Sequence, residues 1–514
     1  LNRNSFIYST IILVIANFCV RFLGFTYRIF LSRYLGSKGI GLYHLLFHTF
    51  LIFITITTSG IPIAVSKIVA QKKSSKDFKG CQDTLFISMS LGIFLSFLIS
   101  ILLIKNTNFI IKYLLQNNKL YESLLSLLPA IIIVTLSSIL RSYYYGIKNV
   151  KPVAVSQILE QVIRIIFVIG ILHFSKIINI KYSVTIATLG IFIGEFGGLL
   201  YLISKFERHE NYEIYQKKYS KLQSISIFSN IVIISFPITI ARFISVLMQS
   251  INMFIVPQRL QMAGYNLNQS VATFGEVVGM TLPLLFLPFI VTSAIVVNII
   301  PNISEEKIHK KWNNINIKSI LAVRIAILIA VPIGFVFFFF SRPICTFLYD
   351  KPNIDIYLKY LSFTVVFLSL QHIISGILHG MGKQVITTIT HLIGMSVHFT
   401  CIYFLIPDSK IGIIGFHIGF FFSTFITFIL NLLFLKKYIP LKLNLFNHII
   451  KPVLASCIMT ISMKLCYIIL LKKLIPIKIT IIITTLIGSI IYLTLILITK
   501  CIKIKTINFV IFGK

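Results

Sequence analysis

Charge is scarce in this chain of 514 residues, and acidic charge is scarcest: 14 Asp and Glu stand against 48 Lys and Arg, and charged residues make up 12% of the sequence. A soluble globular chain carries about 25% charged residues, so a water-soluble fold is excluded. Cysteine is sparse too. The seven cysteines (Cys19, Cys81, Cys345, Cys401, Cys457, Cys466, Cys501) form no C-x-x-C pair and fall mostly in or next to apolar runs. They read as small hydrophobes in helices, and no metal-ligand cluster has the right spacing. A Walker loop and a G-x-S-x-G elbow are both missing, as is any long polar segment able to house a nucleotide or catalytic domain. The expectation is a protein that is not an enzyme and uses no cofactor or metal. Any transport it performs draws on an ion gradient, the membrane potential or the gradient of the substrate itself.

What the chain has is apolar length. It is 57% hydrophobic with a mean hydropathy of +0.92, and its apolar runs of about 20 residues can each cross a hydrocarbon core of about 30 Å. The predicted fold is an all-α polytopic membrane protein with fourteen spans, near 6–31, 42–66, 83–104, 123–145, 153–173, 184–204, 226–256, 271–299, 320–340, 356–379, 385–406, 411–435, 450–471 and 477–499. The first span carries internal arginines and no small-residue cleavage site, so it reads as a span and not as a signal peptide. The net charge of +34 is spread over many short loops, which suits topology and anionic lipid headgroups and argues against nucleic acid as a partner. With both termini cytoplasmic, the lysine-rich loops fall on the inner side, as the positive-inside rule requires.

Two short pairs of segments hint at duplication: 59–67 (SGIPIAVSK) with 298–306 (NIIPNISEE), and 143–150 (YYYGIKNV) with 377–385. Both are separated by roughly six spans, and an even-numbered repeat keeps its orientation. The expected division is an N-lobe of six helices over 1–204, a cytoplasmic linker over 205–225, and a C-lobe of six helices over 226–435. Spans 13 and 14 with a basic tail follow over 436–514. The two lobes would be related by a pseudo-two-fold axis along the membrane normal.

Candidate functional residues are the polar ones inside apolar spans. Asn17, Arg21, Gly24, Arg28 and Ser32 share one face of the first helix. An arginine at the centre of a span costs about 3 kcal/mol even on the lenient insertion scale, so this face should line a wet cavity. Fixed positive charge there suits an anionic substrate. Glu160 precedes Arg164 by one turn, the favourable order for an ion pair within a helix; the pair is either structural or switched by substrate. Arg242 would bring a cation from the second lobe, with Glu276 on the next span to neutralise it or to titrate. Glu195 suits a packing and pairing role. Arg141 is either a partner in gating ion pairs or an interfacial anchor before Tyr143, Tyr144 and Tyr145. The histidine pairs His372/His379 and His391/His398 read as polar packing.

The motifs at 20–43 (VRFLGFTYRIFLSRYLGSKGIGLY), 59–70, 140–150, 156–164 (SQILEQVIR), 256–265, 283–288, 300–305 and 376–384 resemble the stage V sporulation protein B family. That family lies in the multidrug/oligosaccharidyl-lipid/polysaccharide flippase superfamily, beside the lipid II flippases of the MurJ type. The resemblance implies two six-helix lobes, an arginine-lined cavity, and alternating access that turns an undecaprenyl-diphosphate-linked peptidoglycan precursor outward for spore cortex synthesis. It implies substrate contact by Arg21, at the place of an essential first-helix arginine in the lipid II flippases. Arg28 is displaced by one residue from their second such arginine, and their second-helix arginine has only His44 and His48 as counterparts. The expected partners are a lipid-linked anionic glycan, membrane lipids and cell-wall synthases. The alternatives are a flippase for teichoic or capsular oligosaccharide lipids, a multidrug antiporter, and a non-transporting scaffold for cell-wall synthesis. An antiporter for cationic drugs would want acids where this first lobe has arginines.

Overall fold

The computed structural model describes residues 3–115, 117, 120–175, 179–206, 221–441, 444, 446–499 and 501. Among these residues the chain is helical from end to end. Its main helices are α1 (Arg3–Thr58), α2 (Gly60–Ser74), α3 (Phe78–Lys105), α4 (Leu128–Gly146), α5 (Lys151–Phe174), α6 (Ile180–Ser204) and α7 (Lys221–Met262). They continue as α8 (Leu267–Phe274), α9 (Phe289–Ile308), α10 (Trp312–Phe339), α11 (Thr364–Gly380), α12 (Gln384–Leu405), α13 (Ile414–Lys436), α14 (Lys451–Lys472) and α15 (Ile477–Ile498).

Among the described residues twelve helices are long and apolar enough to cross a membrane, or thirteen when Pro352–Leu361 and Thr364–Gly380, bent by 50°, count as one span. The first of these covers Val14–Ser74, 61 residues. At 1.5 Å per residue that is roughly 90 Å, three times the hydrocarbon thickness, so it holds two crossings. The division is at Gly36, whose backbone (φ 67°, ψ 179°) leaves the helix inside α1, in a region only glycine occupies without strain. Counted this way, fourteen crossings remain. The eighth predicted span, 271–299, is not one helix. A π-helical segment, Gly275–Thr281, and a short helix, Leu282–Leu285, separate α8 from α9.

Contacts divide the chain into two compact units: 1–261 with 265–275, and 262–264 with 276–514. The sequence-based boundary lay earlier, at 205–225, and residues 207–220 of that linker lie outside the described residues. By its contacts α7 belongs with the first unit. Ile227 and Ile231 pack on Ala64 and Ile68, and a side chain at Gly60 would collide with the Ser235 carbonyl at 2.1 Å.

Each unit has its own apolar core. In the first, Val65, Val69, Leu85, Ile139, Tyr143 and Leu202 join α2, α3, α4 and α6. In the second, Ile303, Val323, Ala326, Ile373, Ile377 and Leu435 join α9, α10, α11 and α13.

The duplication shows in matched local geometry at an offset of 234. A side chain at Gly146 would meet Val69 and the Ser66 carbonyl; one at Gly380 would meet Ile303 and the Ile300 carbonyl. The Lys73 ammonium donates to the Ile147 carbonyl, and that of Lys307 to the Met381 carbonyl at 2.7 Å. Lys76 (φ 59°) and Lys310 (φ 54°) turn the chain through the left-handed region, as do Lys148 (φ 60°) and Gly382 (φ 74°). The sequence-level pairing of Pro62 with Pro301 misses this register by five residues. Pro62 is in the first turn of α2, where its missing N–H costs nothing, whereas Pro301 is inside α9.

Candidate functional site

Three glycines and one pair of facing helices bring the polar residues of the first unit together. On α6, side chains at Gly190, Gly194 and Gly197 would clash with Val168, the Glu160 carbonyl and Ile163 of α5 at 2.2, 2.8 and 2.3 Å. Bare backbone there lets α5 and α6 approach closely, as small residues do between membrane helices. That approach sets Glu195 of α6 beside Glu160 of α5.

Two arginines answer the two acids. The Arg141 guanidinium, from α4, donates to Glu160 Oε2 at 3.0 Å and to Glu195 Oε2 at 3.1 Å. Arg164 Nη2 donates to Glu160 Oε1 at 2.6 Å, and Gln161 Nε2 approaches the same oxygen at 3.4 Å. The four side chains are only 8–15% exposed and their formal charges cancel. Arg141 is therefore a buried bridge between two carboxylates, not an anchor at the membrane surface. Its Nε and that of Arg164 are shielded from solvent without a hydrogen-bond partner, so the network holds unused donors.

Beside this neutral network runs the first-helix stripe. Asn17 is half-buried, Arg21 and Arg28 are exposed, and Ser32 is buried with its hydroxyl on the Arg28 carbonyl at 2.7 Å. Gly24, between the arginines, faces the Gln161 amide oxygen, which a side chain there would meet at 4.0 Å. Among the described residues, Arg21 and Arg28 have no ion pair and no side-chain hydrogen bond. Tyr27 and Tyr43, both buried, sit next to each other within electrostatic reach of Arg164, and Arg28 acts on Tyr43 as well. Both tyrosines thus stand near the paired cation, and Tyr43 near the unpaired Arg28 as well. His44 and His48 are buried on the far half of α1, with His44 Nε2 and His48 Nδ1 unpartnered.

Arg242 and Glu276 are the remaining predicted residues. Arg242 is exposed on α7, a helix grouped with the first unit, whereas the sequence reading assigns it to the second lobe. Glu276 is half-buried in the π-helical segment of the second unit, where its carbonyl accepts from the Thr281 hydroxyl at 2.9 Å. Sequence reasoning found Glu160–Arg164 from its helical spacing. It left Glu195 out of the candidate site and did not single out Tyr27 or Tyr43. Their partners are distant in the chain or carry no spacing signal.

At the 234-residue offset Arg141, Glu160, Arg164 and Glu195 correspond to Ser375, Gly394, His398 and Ile429, so no acid, lysine or arginine stands at those positions. Ser375, 234 residues after Arg141, accepts from Asn431 Nδ2 at 3.2 Å, and Asn431 Oδ1 accepts from the Thr390 hydroxyl at 2.6 Å. The charged version is a property of the first unit.

The profile of the family described as polysaccharide biosynthesis protein matches residues 6–295, and that described as MatE matches residues 237–404. The chain is 27% identical over 447 residues to stage V sporulation protein B of Bacillus subtilis (strain 168), covering 86% of each. It is 30% identical over 206 residues to the lipid II flippase MurJ of the same organism, covering 38% of each. Its fold is similar to a solved structure of the lipid II flippase MurJ in an inward closed conformation, with a TM-score of 0.70 and 18% identity over 94% of this chain and 98% of that one.

Proposed function

The chain belongs to the polysaccharide biosynthesis protein family, and from that membership we propose that it is a flippase for a lipid-linked glycan precursor. The substrate we assign is an undecaprenyl-diphosphate-linked peptidoglycan precursor, of the lipid II kind, handled at the cytoplasmic membrane during spore cortex synthesis. Relatives named as a sporulation protein and a lipid II flippase support this reading. The observation that carries it is the pair of exposed, unpaired arginines, Arg21 and Arg28, set in an apolar helix beside a charge-balanced network.

The chemistry follows from that charge balance. A diphosphate diester carries two negative charges, and two uncompensated guanidiniums match it. Each guanidinium can give a phosphate two parallel N–H···O bonds. Asn17, on the same face, offers an amide donor. Arg164, held by Glu160, is the reserve cation, and phosphate arriving on the Tyr27–Tyr43 side competes with Glu160 for it. Arg141 keeps Glu160 and Glu195 satisfied when that happens. Arg242 and Glu276 act on the later part of the path. The two lobes, divided as the sequence suggests, alternate access to the site, with both termini cytoplasmic and the polyprenyl tail in lipid along α14 and α15. Cell-wall synthases are the expected receivers of the product.

The test is flipping of lipid II in proteoliposomes containing the wild type, Arg21→Ala, Arg28→Ala, the double variant, or no protein. A charged hydrogen bond contributes about 1.5–3 kcal/mol, so each single variant should flip about 10- to 100-fold more slowly while inserting normally. Wild-type rates in both singles would remove the arginine stripe from the substrate path. Absence of flipping by folded wild type, with a membrane potential imposed, would favour another lipid-linked glycan or a scaffold role.

A further inference from the structure

A second cationic cluster lies in the second unit. It begins with a charge imbalance. The last acidic residue of the chain is Asp408, and residues 436–514 hold twelve lysines. At one end of this unit three elements converge: α10 at Arg324, the π-helical turn Phe446–Ile450 that leads into α14, and the last turn of α15. The seam is well fixed. Leu328, one turn after Arg324, packs with Ala455, Ile496 and Cys501, and Tyr492 donates to the Leu328 carbonyl at 2.8 Å. Lys451 Nζ reaches the Thr499 carbonyl at 3.2 Å, and Cys501 Sγ lies 3.8 Å from the Asn447 carbonyl.

Arg324 and the His448 ring are electrostatic neighbours across this seam. Arg324 Nε and His448 Nδ1 are both shielded from solvent, and neither has a hydrogen-bond partner among the described residues. Nor does either form an ion pair there. The acids that make ion pairs in this unit are engaged elsewhere: Glu306 holds Lys318 and Asn314, and Asp350 reaches Lys478. A guanidinium and an imidazole within electrostatic reach of each other, each with a shielded nitrogen left unbonded, favour an anion between them. A tetrahedral oxyanion supplies acceptors to both.

The face of α14 below Lys451 tells what the anion is attached to. Leu454, Ile458, Ile461 and Leu465 follow Lys451 at helical spacing and are 48–61% exposed, while Ala455, Met459 and Met463 pack inward. One helix face therefore runs from a cation into an unbroken apolar stripe, the profile of a lipid with a charged head. We propose that Arg324, His448 and Lys451 form a site for the phosphate of an anionic glycerophospholipid, whose acyl chains lie along the outer face of α14. The site does not depend on which glycan is carried, but it shares α14 with the polyprenyl tail of the proposed substrate.

The test uses the full-length protein, delipidated in detergent, with phosphatidylglycerol, phosphatidylcholine or undecaprenyl diphosphate added, and bound lipid counted by native mass spectrometry. Wild type should retain phosphatidylglycerol over phosphatidylcholine. Arg324→Gln/His448→Gln should lose at least tenfold in retention, Lys451→Gln should lose less, and Arg324→Lys should recover part of the loss. Lys473→Gln, at the other end of α14, should behave as wild type and so excludes a bulk charge effect. Size-exclusion profiles identify any variant that fails to fold, in which case Lys451→Gln and Arg324→Lys carry the comparison. Equal retention in wild type and the folded variants would overturn the proposal. So would displacement of phosphatidylglycerol by stoichiometric undecaprenyl diphosphate, since the site would then belong to the lipid-linked substrate.

Discussion

Glu160 accepts from two guanidiniums at once, at 2.6 and 3.0 Å, in a setting where its side chain is 8% exposed. Removing one member of a buried ion pair costs about 3–5 kcal/mol, because the partner is left charged and dry. Glu160→Gln should therefore destabilise the protein by about that amount, read from thermal unfolding in detergent. Glu195→Gln should cost about 1–3 kcal/mol, since Arg141 keeps its bond to Glu160. In a double-mutant cycle, Glu160→Gln with Arg164→Gln should be less harmful than the sum of the singles by more than about 1 kcal/mol. A sum that is simply additive would mean that the pair is not coupled. The half of this network separated by four residues was legible in the sequence, because an i, i+4 spacing is a local rule. The other half was not. Arg141 and Glu195 are 54 positions apart, and only the packing of α4 on α6 makes them neighbours.

Helices are set by hydropathy, but their interruptions are set by backbone geometry, and the two are legible to different degrees. Thirteen of the fourteen crossings could be read from apolar runs; the eighth was drawn through the π-helical segment at 275–281. The break inside α1 could not be placed, since the glycine-rich stretch from Gly36 to Gly41 contains three glycines and only Gly36 takes the left-handed turn. Nothing lies within 4 Å of where its side chain would be, so conformation alone demands glycine there. Gly36→Ala should cost about 1–3 kcal/mol in stability. Gly275 fails for the opposite reason. Its conformation is ordinary, yet a methyl group would sit 2.0 Å from the Ser37 carbonyl and 2.7 Å from the Gly41 nitrogen, so Gly275→Ala should push α8 off α1. Gly170 has neither constraint, and Gly170→Ala should stabilise α5 by about 0.5–1 kcal/mol. Unfolding midpoints of the three variants, measured side by side, separate the backbone effect from the steric one. Equal losses in all three would refute both assignments.

Over the whole molecule, duplication explains the scaffold and its failure to be symmetric points to the chemistry. The Lys73 and Lys307 bonds to helix-end carbonyls, and the paired left-handed turns, recur at a fixed offset, so the fold did not need charge at one site more than at its copy. Yet Arg141, Glu160, Arg164 and Glu195 occupy the first unit, where the 234-residue offset puts Ser375, Gly394, His398 and Ile429 in the second and Ser375 bonds to the neutral Asn431–Thr390 pair. A buried ionic network is a weak source of stability compared with neutral packing, and the second copy shows that this scaffold can be held together without one. If the charges serve transport, the two networks should respond differently to neutralisation. Asn431→Ala removes a buried hydrogen-bonding amide and should cost about 1–3 kcal/mol of stability, with flipping per folded molecule unchanged. Glu160→Gln/Arg164→Gln keeps the formal charge balance and should retain most of the stability, yet lower flipping per folded molecule by at least tenfold, since the reserve cation is gone. Lipid II flipping normalised to folded protein makes the comparison. Equal loss from both networks would reduce the ionic one to a structural brace, and the asymmetry between the two units would then say nothing about substrate.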